Sequence, residues 1–373
     1  MNIWIDSRTI SSNFFPLFFS IAKTLQLNWF NVYFINSNLI QKYQLKKYWL
    51  DFIDWNEEKI IKENSIKKIL LWNWTFNDIK IKWIKNYYFE NWYFWNDLQI
   101  FNNWVNAKSE ICNLQYVDFL NLKKENKLKI NKIELINNIK LNLFNYYILW
   151  FFSHNPISSF KYYFNILRSK LEIYKRKKIL NNKKETILKK WKYILIWFQV
   201  HDDTQILYNS PLIKKMDDIL DFFYKDIKEI LPDYKIIVKE HPMDLWRINY
   251  SNLQKKYNDI IWIIKWDISN YIDKSDYLIC VNSSIWLQAL SKYKKVITLW
   301  DNFYSNNAWV KNIKNKNDFK EKLLELKNQN IEKDKKEIDE YINIFKKEIF
   351  ISNWWWKKFN KNTVKSICEK IIN

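Results

Sequence analysis

The chain contains no glycine among its 373 residues, and it has only three cysteines, three histidines and five prolines. Ordinary proteins contain roughly 7% glycine, because it supplies backbone positions with positive φ and lets ligands approach the backbone. Cys112, Cys280 and Cys368 lie far apart and lack the spacing of metal ligands. The cysteine pattern therefore argues against a disulfide framework, implies no zinc site and indicates buried thiols in a reducing compartment.

Long hydrophobic runs are also missing. The longest extends from Tyr146 to Phe152, whereas a transmembrane helix needs about 20 residues. The first residues lead directly into a predicted strand and lack the basic segment, apolar core and cleavage site of a signal peptide. The sequence therefore predicts a cytoplasmic protein that is at most peripheral to a membrane.

Tryptophan is abundant where glycine is missing. Several of the 22 tryptophans follow short apolar runs, at strand ends where glycine is common, as at Trp72, Trp74, Trp266 and Trp300. Three tryptophans at 354–356 would form an exposed aromatic block, whereas three glycines would form an ordinary loop. We hypothesise that UGA codons meaning glycine in the source organism were translated as tryptophan. The alternative is that the tryptophans are genuine and that asparagine takes the left-handed positions.

The charge of the chain is strongly positive, with 61 basic against 40 acidic residues and a formal net charge of +21. Such a charge attracts nucleotide sugars, nucleic acids or an anionic membrane face, although AT-rich coding would supply many of the lysines. The densest stretch, from Lys170 to Lys192, is consistent with a basic helix on a membrane surface. A solvated helix or a linker between domains would look the same.

Short apolar runs alternate with amphipathic stretches, which is the pattern of βαβ units around parallel sheets. We predict an α/β fold with two Rossmann-like domains facing a central cleft, over 1–150 and 191–373, joined by a basic interdomain segment over 151–190. The predicted strands lie near 2–6, 30–35, 68–72, 86–90, 193–199, 234–239, 260–265, 277–281 and 295–299. The predicted helices lie near 14–26, 77–85, 212–230, 246–257, 284–292, 316–328, 331–348 and 361–372.

His241 is the best placed of the three histidines, because it follows a predicted strand and precedes Pro242, which ends the strand and fixes the turn. An imidazole at a strand end, beside Lys239, can hold a phosphate or supply a proton to a leaving group. The alternative is a loop histidine whose hydrogen bonds are satisfied locally.

Asn282, Ser283 and Ser284 follow the apolar run over 277–281 and open a predicted helix. Hydroxyls and free amides at a helix N-terminus can bind an anion. Plain capping of the helix by serine is the alternative and needs no ligand.

Two further clusters of polar residues follow predicted strands. Glu90 and Asp97 are expected in a loop after a strand, where a pair of carboxylates can divide nucleophile and acid/base roles. Loop carboxylates that cap turns are an equally good explanation of the spacing. Gln199, Asp203 and Gln205 follow the first strand of the second half and could hydrogen-bond a sugar or a nucleotide.

With tryptophan read as glycine, these segments resemble capsule polysaccharide biosynthesis proteins of the KpsS/LipB type, which transfer Kdo from CMP-Kdo. The matching segments are Phe89 to Asp97 with Trp104-Val105-Asn106, Gln199 to Gln205, Lys239 to Trp246, and Asn282 to Leu290 with Val296 to Asp301. They are similar to FEEGYxRPD…GGVN, LQ…D-[ST]-Q-I, K-x-HP-x-D-x-G and NSSVGLEAL…PVITLGD. Asn91 replaces the second glutamate of the first motif, and residues 120–190 match poorly.

The resemblance implies a GT-B-like glycosyltransferase with an acceptor domain first and a CMP-sugar domain second. It implies retention of configuration, with Asp97 as nucleophile, Glu90 as acid or base, and His241 holding or protonating the departing phosphate. The implied nucleotide-binding residues are Lys239, His241, Pro242, Asn282, Ser283 and Ser284, and the implied substrate-binding residues are Gln199, Asp203 and Gln205. Neither a metal nor a cofactor is expected, since the CMP-sugar donor is a substrate.

The implied reaction moves Kdo or a related ulosonic acid to a lipid or glycolipid acceptor at the inner face of the cytoplasmic membrane. An anionic membrane surface and other capsule assembly proteins are the further expected partners. A CDP-glycerol or CMP-sialic acid transferase is the nearest alternative. A basic nucleic-acid-binding protein is the alternative from another class, but the sequence contains no such motif, so no nucleic acid is expected.

Overall fold

The computed structural model divides the chain into two compact units. The first comprises Met1–Glu110, Asn121–Ser159 and Ile344–Asn373, and the second comprises Ile111–Leu120 and Phe160–Asn343. The structure describes residues 1–7, 15–35, 51–53, 66–72, 85–92, 97–101, 164, 167, 168, 170, 171, 174, 192–203, 206–207, 210, 212–245, 247–264, 268–300, 308–351 and 361–372. The predicted helix over 77–85 is thus almost entirely outside the described residues.

The first unit contains a seven-stranded sheet in the order β13-β6-β5-β4-β1-β2-β3. Its strands are β1 (Asn2–Asp6), β2 (Asn31–Ile35), β3 (Asp51–Ile53), β4 (Ile66–Trp72), β5 (Lys85–Trp92), β6 (Asp97–Phe101) and β13 (Phe350–Ile351). The first five are parallel, and β6 runs antiparallel to both β5 and β13. Helix α1 (Phe15–Leu27) packs its apolar side chains into the core.

The second unit contains a six-stranded sheet in the order β12-β11-β10-β7-β8-β9, in which every paired strand is parallel. Its strands are β7 (Tyr193–Trp197), β8 (Lys235–Lys239), β9 (Ile261–Ile263), β10 (Tyr277–Cys280), β11 (Lys295–Thr298) and β12 (Val310–Asn312). When the strands β7 to β12 are numbered 1 to 6 and the sheet is followed from β9 to β12, their order is 3-2-1-4-5-6, which is the Rossmann order. The predicted α/β class and the predicted Rossmann-like units are confirmed by these two sheets.

Helices α2 to α7 of the second unit connect and follow these strands. They are α2 (Asp217–Ile230), α3 (Ser251–Lys256), α4 (Ile268–Lys274), α5 (Ile285–Leu290), α6 (Asp318–Asn328) and α7 (Lys335–Ile344). A π-helical turn over Phe345–Ile349 follows α7 and belongs to the first unit. The strands are almost wholly buried, because a parallel sheet is covered on both faces and its strands are continuous apolar runs. Within the described residues no helix is both long and apolar enough to cross a bilayer.

The C-terminal helix α8 (Lys361–Ile372) belongs to the first unit, whereas the sequence assigns all of 191–373 to the second domain. The reason is packing: Val364, Ile367 and Ile371 join the core formed by α1 and the first sheet. Lys68 Nζ, on β4, donates hydrogen bonds to the carbonyl oxygens of residues 371 and 372 at the end of α8. A cation at a helix C-terminus is stabilising.

The two described thiols are buried, as the sequence predicts for its cysteines. Burial raises the pKa of Cys280 to about 12, and burial raises the pKa of Cys368 as well. Neither thiol is therefore ionised near neutral pH. Cys112 lies outside the described residues.

Trp29 ends helix α1 in the conformation that glycine favours. Its φ is +66°, and its N–H donates to Gln26 O at 3.1 Å while Phe30 N–H donates to Leu25 O at 3.1 Å. These two bonds form a Schellman motif, whose left-handed residue is usually glycine. Tyr293 takes the same position after α5, with φ of +55°.

We expect Trp29→Gly to raise the free energy of unfolding by about 1 kcal/mol, because a left-handed residue with a Cβ costs about 1–2 kcal/mol. Trp29 is 94% exposed, so little burial is lost. Urea denaturation measures the change. Tyr293→Gly is the matched control. Its free energy of unfolding should rise by less, because this variant also loses the hydrogen bond from Tyr293 Oη to Asp339. No gain at Trp29, or a UGG codon there, would contradict the hypothesis that this tryptophan replaces glycine.

Candidate functional site

The second sheet places three polar segments at neighbouring strand ends. Strands β8, β7 and β10 are consecutive in the sheet, and they are followed by His241, Gln199 and Asn282 respectively. The strand order reverses between β7 and β10, and Rossmann-like units bind nucleotides in the crevice at this reversal. The candidate site is therefore this edge of the second sheet.

Gln199 and Asn282 join the loops on the two sides of the reversal. Asn282 N–H donates to Gln199 Oε1 at 2.8 Å, and Gln199 Nε2 donates to Asn282 Oδ1 at 3.0 Å. Gln199 Nε2 also lies 3.4 Å from Asp203 Oδ2. The Gln199 side chain is buried, so its amide holds Asn282 in place. The predicted sugar contacts of Gln199 and Asp203 stay predictions, and Gln205 lies outside the described residues.

His241 begins a single 3₁₀ turn, Pro242–Asp244, directly after β8 and Glu240. Its backbone is extended, and its Nδ1 accepts a hydrogen bond from Met243 N–H at 3.2 Å. The ring proton therefore lies on Nε2, which makes Nε2–H a hydrogen-bond donor. The turn that Pro242 fixes thus also fixes the tautomer of the histidine.

The His241 ring is neutral near physiological pH. Burial lowers its pKa to about 4, and Lys239 and Arg247 contribute in the same direction, against the opposing charge of Asp244. Between pH 4 and 6.5 the His241 imidazole is protonated in the unfolded chain but neutral in the folded protein. The contribution of His241 to stability therefore falls as the pH drops from 6.5 towards 4. A neutral imidazole can donate a hydrogen bond to a phosphate but is a weak proton donor.

Asp244 is a fully buried carboxylate that connects the His241 turn to the loop after β7. Its Oδ2 accepts a hydrogen bond from His201 N–H at 2.8 Å, and its Oδ1 accepts one from His201 Nδ1–H at 2.7 Å. Arg247 Nη1 lies 3.7 Å from the same Oδ1. A buried carboxylate needs such partners, because an unpaired buried charge is strongly destabilising.

Arg247 completes this connection with a bidentate pair to Asp202. The pair raises the pKa of Arg247 and lowers the pKa of Asp202. The chain has only four arginines among its 61 basic residues. An arginine in such a lysine-rich chain indicates a need for its planar, forked geometry, and this was the signal in the sequence that could have identified Arg247.

Lys239 and Glu240 directly precede His241 in the sequence, and both are buried. Lys239 Nζ donates to Glu240 O at 2.7 Å and lies 5.2 Å from the centre of the Trp197 ring. Gln254 Nε2 donates to Glu240 Oε1 at 3.2 Å. Lys239 therefore supports the turn from within the unit, and its predicted contact with a nucleotide stays a prediction.

Ser283 and Ser284 precede the short helix α5. Ser284 is its N-cap residue, yet it has helical backbone angles and forms no side-chain capping hydrogen bond. The Ser284 hydroxyl therefore does not cap the helix. Plain capping, the simpler explanation of this serine pair, does not apply to Ser284. The binding role predicted for both hydroxyls stays a prediction.

Glu90 and Asp97 lie in strands of the first unit, which corrects the expectation of a loop after a strand. Strand β5 continues to Trp92, and β6 begins at Asp97, where polar and apolar residues alternate. Glu90 pairs with Gln99 and Trp92 pairs with Asp97, so the two carboxylate positions are diagonal neighbours on one face of a hairpin. Such positions are about 7–8 Å apart.

A metal site is not found in the described part of the chain, where no three residues among His, Cys, Asp and Glu could hold an ion together.

Comparison with known proteins identifies one matching family model. Described as capsule polysaccharide biosynthesis protein, it matches residues 113–324. No protein of curated function matches the chain. Among solved structures, the chain is similar to the KpsC β-Kdo 2,7-transferase of Thermosulfurimonas dismutans, with 16% identity, a TM-score of 0.44, and coverage of 75% of this chain and 82% of that one.

Two further structures are similar to the chain at lower identity and lower TM-score. The KpsC β-Kdo 2,4-transferase of T. dismutans has 12% identity, a TM-score of 0.40, and coverage of 87% of this chain and 88% of that one. The UDP complex of S. aureus MnaA has 12% identity, a TM-score of 0.35, and coverage of 98% of this chain and 94% of that one.

Proposed function

Because the chain belongs to the capsule polysaccharide biosynthesis protein family, whose model matches more than half of it, we propose that it is a glycosyltransferase. The proposed reaction transfers Kdo or a related ulosonic acid from a CMP-activated donor to a lipid or glycolipid acceptor. The proposed location is the inner face of the cytoplasmic membrane, to which the protein binds peripherally. Other capsule assembly proteins are proposed as further partners.

One observation carries the nucleotide part of the proposal. The loops after β7 and β10 are joined by the Gln199–Asn282 amide pair at the reversal of strand order. This is the position at which Rossmann-like units bind nucleotides. His241 follows the adjacent strand β8 and offers Nε2–H as a donor. These three strand ends form the proposed CMP site.

The donor phosphate is proposed to be held by neutral hydrogen-bond donors, with no metal ion. His241 Nε2–H donates to one phosphate oxygen, and the Ser283 and Ser284 hydroxyls donate to others. Preorganised donors of this kind stabilise the charge that develops on a departing phosphate. With a pKa of about 4, His241 stabilises that charge without transferring its proton.

The sugar is proposed to move in two displacements. The Asp97 carboxylate attacks the anomeric carbon, and the bond from that carbon to the CMP phosphate oxygen breaks with its electron pair on CMP. The acceptor hydroxyl then displaces Asp97 while the Glu90 carboxylate takes the hydroxyl proton. Two inversions at one carbon retain the configuration.

Incubation of the purified protein with CMP-Kdo and a phosphatidylglycerol acceptor tests the proposed function. The expected result is a Kdo-containing glycolipid together with released CMP. Binding of CMP without product would move the search to other cytidine-activated donors, such as CDP-glycerol or CMP-sialic acid. Absence of CMP binding, with salt-dependent binding to a generic DNA duplex, would overturn the proposal in favour of a nucleic-acid-binding protein.

His241→Ala is expected to lower the affinity for CMP-Kdo by roughly tenfold, because one hydrogen bond to a charged phosphate is lost. His241→Gln should retain part of the affinity through its amide donor. Since the pKa of His241 is about 4, wild-type affinity should stay constant between about pH 6 and 8. Isothermal titration calorimetry measures these affinities.

Met243→Ala is the control for this prediction, because Met243 belongs to the same turn and its side chain is half exposed. The backbone N–H that holds the His241 ring remains in this variant. An unchanged affinity of His241→Ala for CMP-Kdo would contradict the proposal that His241 binds the phosphate.

A further inference from the structure

Helical residues between 164 and 174 carry a group of exposed apolar side chains. Phe164, Leu167, Leu171 and Tyr174 are 58%, 60%, 61% and 72% exposed. Among the large apolar residues that the structure describes, only Trp29 is exposed to a greater degree than Tyr174. Single exposed apolar residues are normal on a protein surface, but a contiguous group marks an interaction site.

The spacing of these residues makes them one stripe. At the helical spacing of about 100° per residue, positions 164, 167, 171 and 174 fall within an arc of about 80°. On the same scale Arg168 lies about 40° beyond one edge of that arc, and Lys170 lies about 40° beyond the other edge. Both cations are in the described helical part of this segment and are exposed. The stripe is therefore apolar along its centre and basic on both sides.

This arrangement fits the boundary of a bilayer. Helices that lie in the plane of a membrane bury an apolar face at the level of the acyl chains and place lysine and arginine at the anionic headgroups. Long basic side chains can extend to the headgroups from both flanks, and tyrosine is suited to the interface itself.

Charge complementarity identifies the type of bilayer. Lys175-Arg176-Lys177-Lys178 follow the stripe in the sequence, and the chain carries a net charge of +21. Basic residues near an anionic leaflet each contribute to attraction, which decreases with distance from the surface and with salt. A neutral bilayer would provide the apolar contact without this attraction.

We propose that Phe164, Leu167, Leu171 and Tyr174, flanked by Arg168 and Lys170, form a surface that docks the protein on an anionic lipid bilayer. This inference rests on the peripheral membrane association proposed above and deepens it by naming the residues that make the contact. It is independent of the chemistry of transfer, because no residue of the candidate site takes part in it.

Vesicle flotation with the full-length protein tests the surface. The vesicles contain phosphatidylcholine with phosphatidylglycerol, or phosphatidylcholine alone, and the variant is Leu167→Glu/Leu171→Glu. The expected result is preferential binding of the wild type to the anionic vesicles, reduced by 1 M salt, and a loss of roughly tenfold or more in the variant.

The matched control is Leu27→Glu/Leu324→Glu, in which two exposed leucines outside the stripe, at 45% and 41% exposure, receive the same change. Both double variants lower the net charge by the same amount, so a loss confined to the stripe variant is not caused by charge alone. Leu167→Gln/Leu171→Gln should lose binding as well, because it removes the apolar contact without adding negative charge.

Three outcomes would overturn the inference. Equal flotation of the stripe variant and the wild type would remove the surface but leave the peripheral association. Absence of wild-type binding to anionic vesicles would remove both, while CMP binding and donor turnover, measured without vesicles, would still test the transferase. A stripe variant that floats normally but changes from dimer to monomer in sedimentation would assign the stripe to contact between copies of this chain.

Discussion

Replacing Asp244 with alanine is expected to lower the free energy of unfolding by about 3 kcal/mol or more. The carboxylate is fully buried and accepts two hydrogen bonds from His201. Its loss would leave the His201 N–H without its acceptor and Arg247 without one of its two counter-charges. The affinity for CMP should fall in parallel, since the loop after β7 would no longer be tied to the His241 turn.

Urea denaturation of Asp244→Ala, Asp244→Asn and Asp202→Ala separates burial from charge pairing. Asp202 is also paired with Arg247 but is 48% exposed at its side chain. The free energy of unfolding of Asp202→Ala should therefore fall by less than about 1 kcal/mol. Asp244→Asn should lie between the two, because its amide oxygen can still accept from the His201 N–H. Similar losses in Asp244→Ala and Asp202→Ala would contradict the role of the buried carboxylate.

Asp97→Ala is expected to lower the rate of sugar transfer by at least on the order of 10³-fold while leaving CMP affinity unchanged. The proposed nucleophile lies in the first unit, whereas the proposed CMP site lies in the second. Single-turnover transfer from CMP-Kdo and calorimetric titration with CMP measure the two quantities separately. Asp97→Asn should be similarly impaired, because an amide cannot form the glycosyl intermediate.

Gln99→Ala is the matched control, since Gln99 lies on the same strand and the same face as Asp97, opposite Glu90. It should transfer sugar at close to the wild-type rate. Glu90→Gln should impair the second displacement, so glycosyl-enzyme should accumulate in a mass spectrum. An Asp97 variant with normal turnover would remove the nucleophile assignment and with it the two-step route.

The central strands could be predicted from the sequence with small errors at their ends. β1, β2, β4, β7, β8, β10 and β11 each contain a short apolar run, which is typical of strands buried on both faces. The short strands β3, β12 and β13 were not predicted, because two or three residues carry too little pattern. The sequence pattern does not predict β6 and α4. It predicts a start of α2 at residue 212, five residues before the helix begins at Asp217.

The polar residues at the strand ends could be named from the sequence, but their pairing could not. Gln199 and Asn282 are 83 positions apart, and they meet because β7 and β10 are neighbours in the sheet. Asp244 reaches His201 across 43 positions for a similar reason. Strand order is a property of the whole fold, so a local pattern does not contain it.

The return of the chain to its first unit sets an order for synthesis. The ribosome synthesises every strand and helix of the second unit before it reaches α8, whose apolar side chains complete the core around α1. Because domains fold as they emerge during synthesis, the second unit can acquire its fold on the ribosome. The first unit must wait with part of its core uncovered, and a stop codon before α8 would damage the half of the protein that was made earliest.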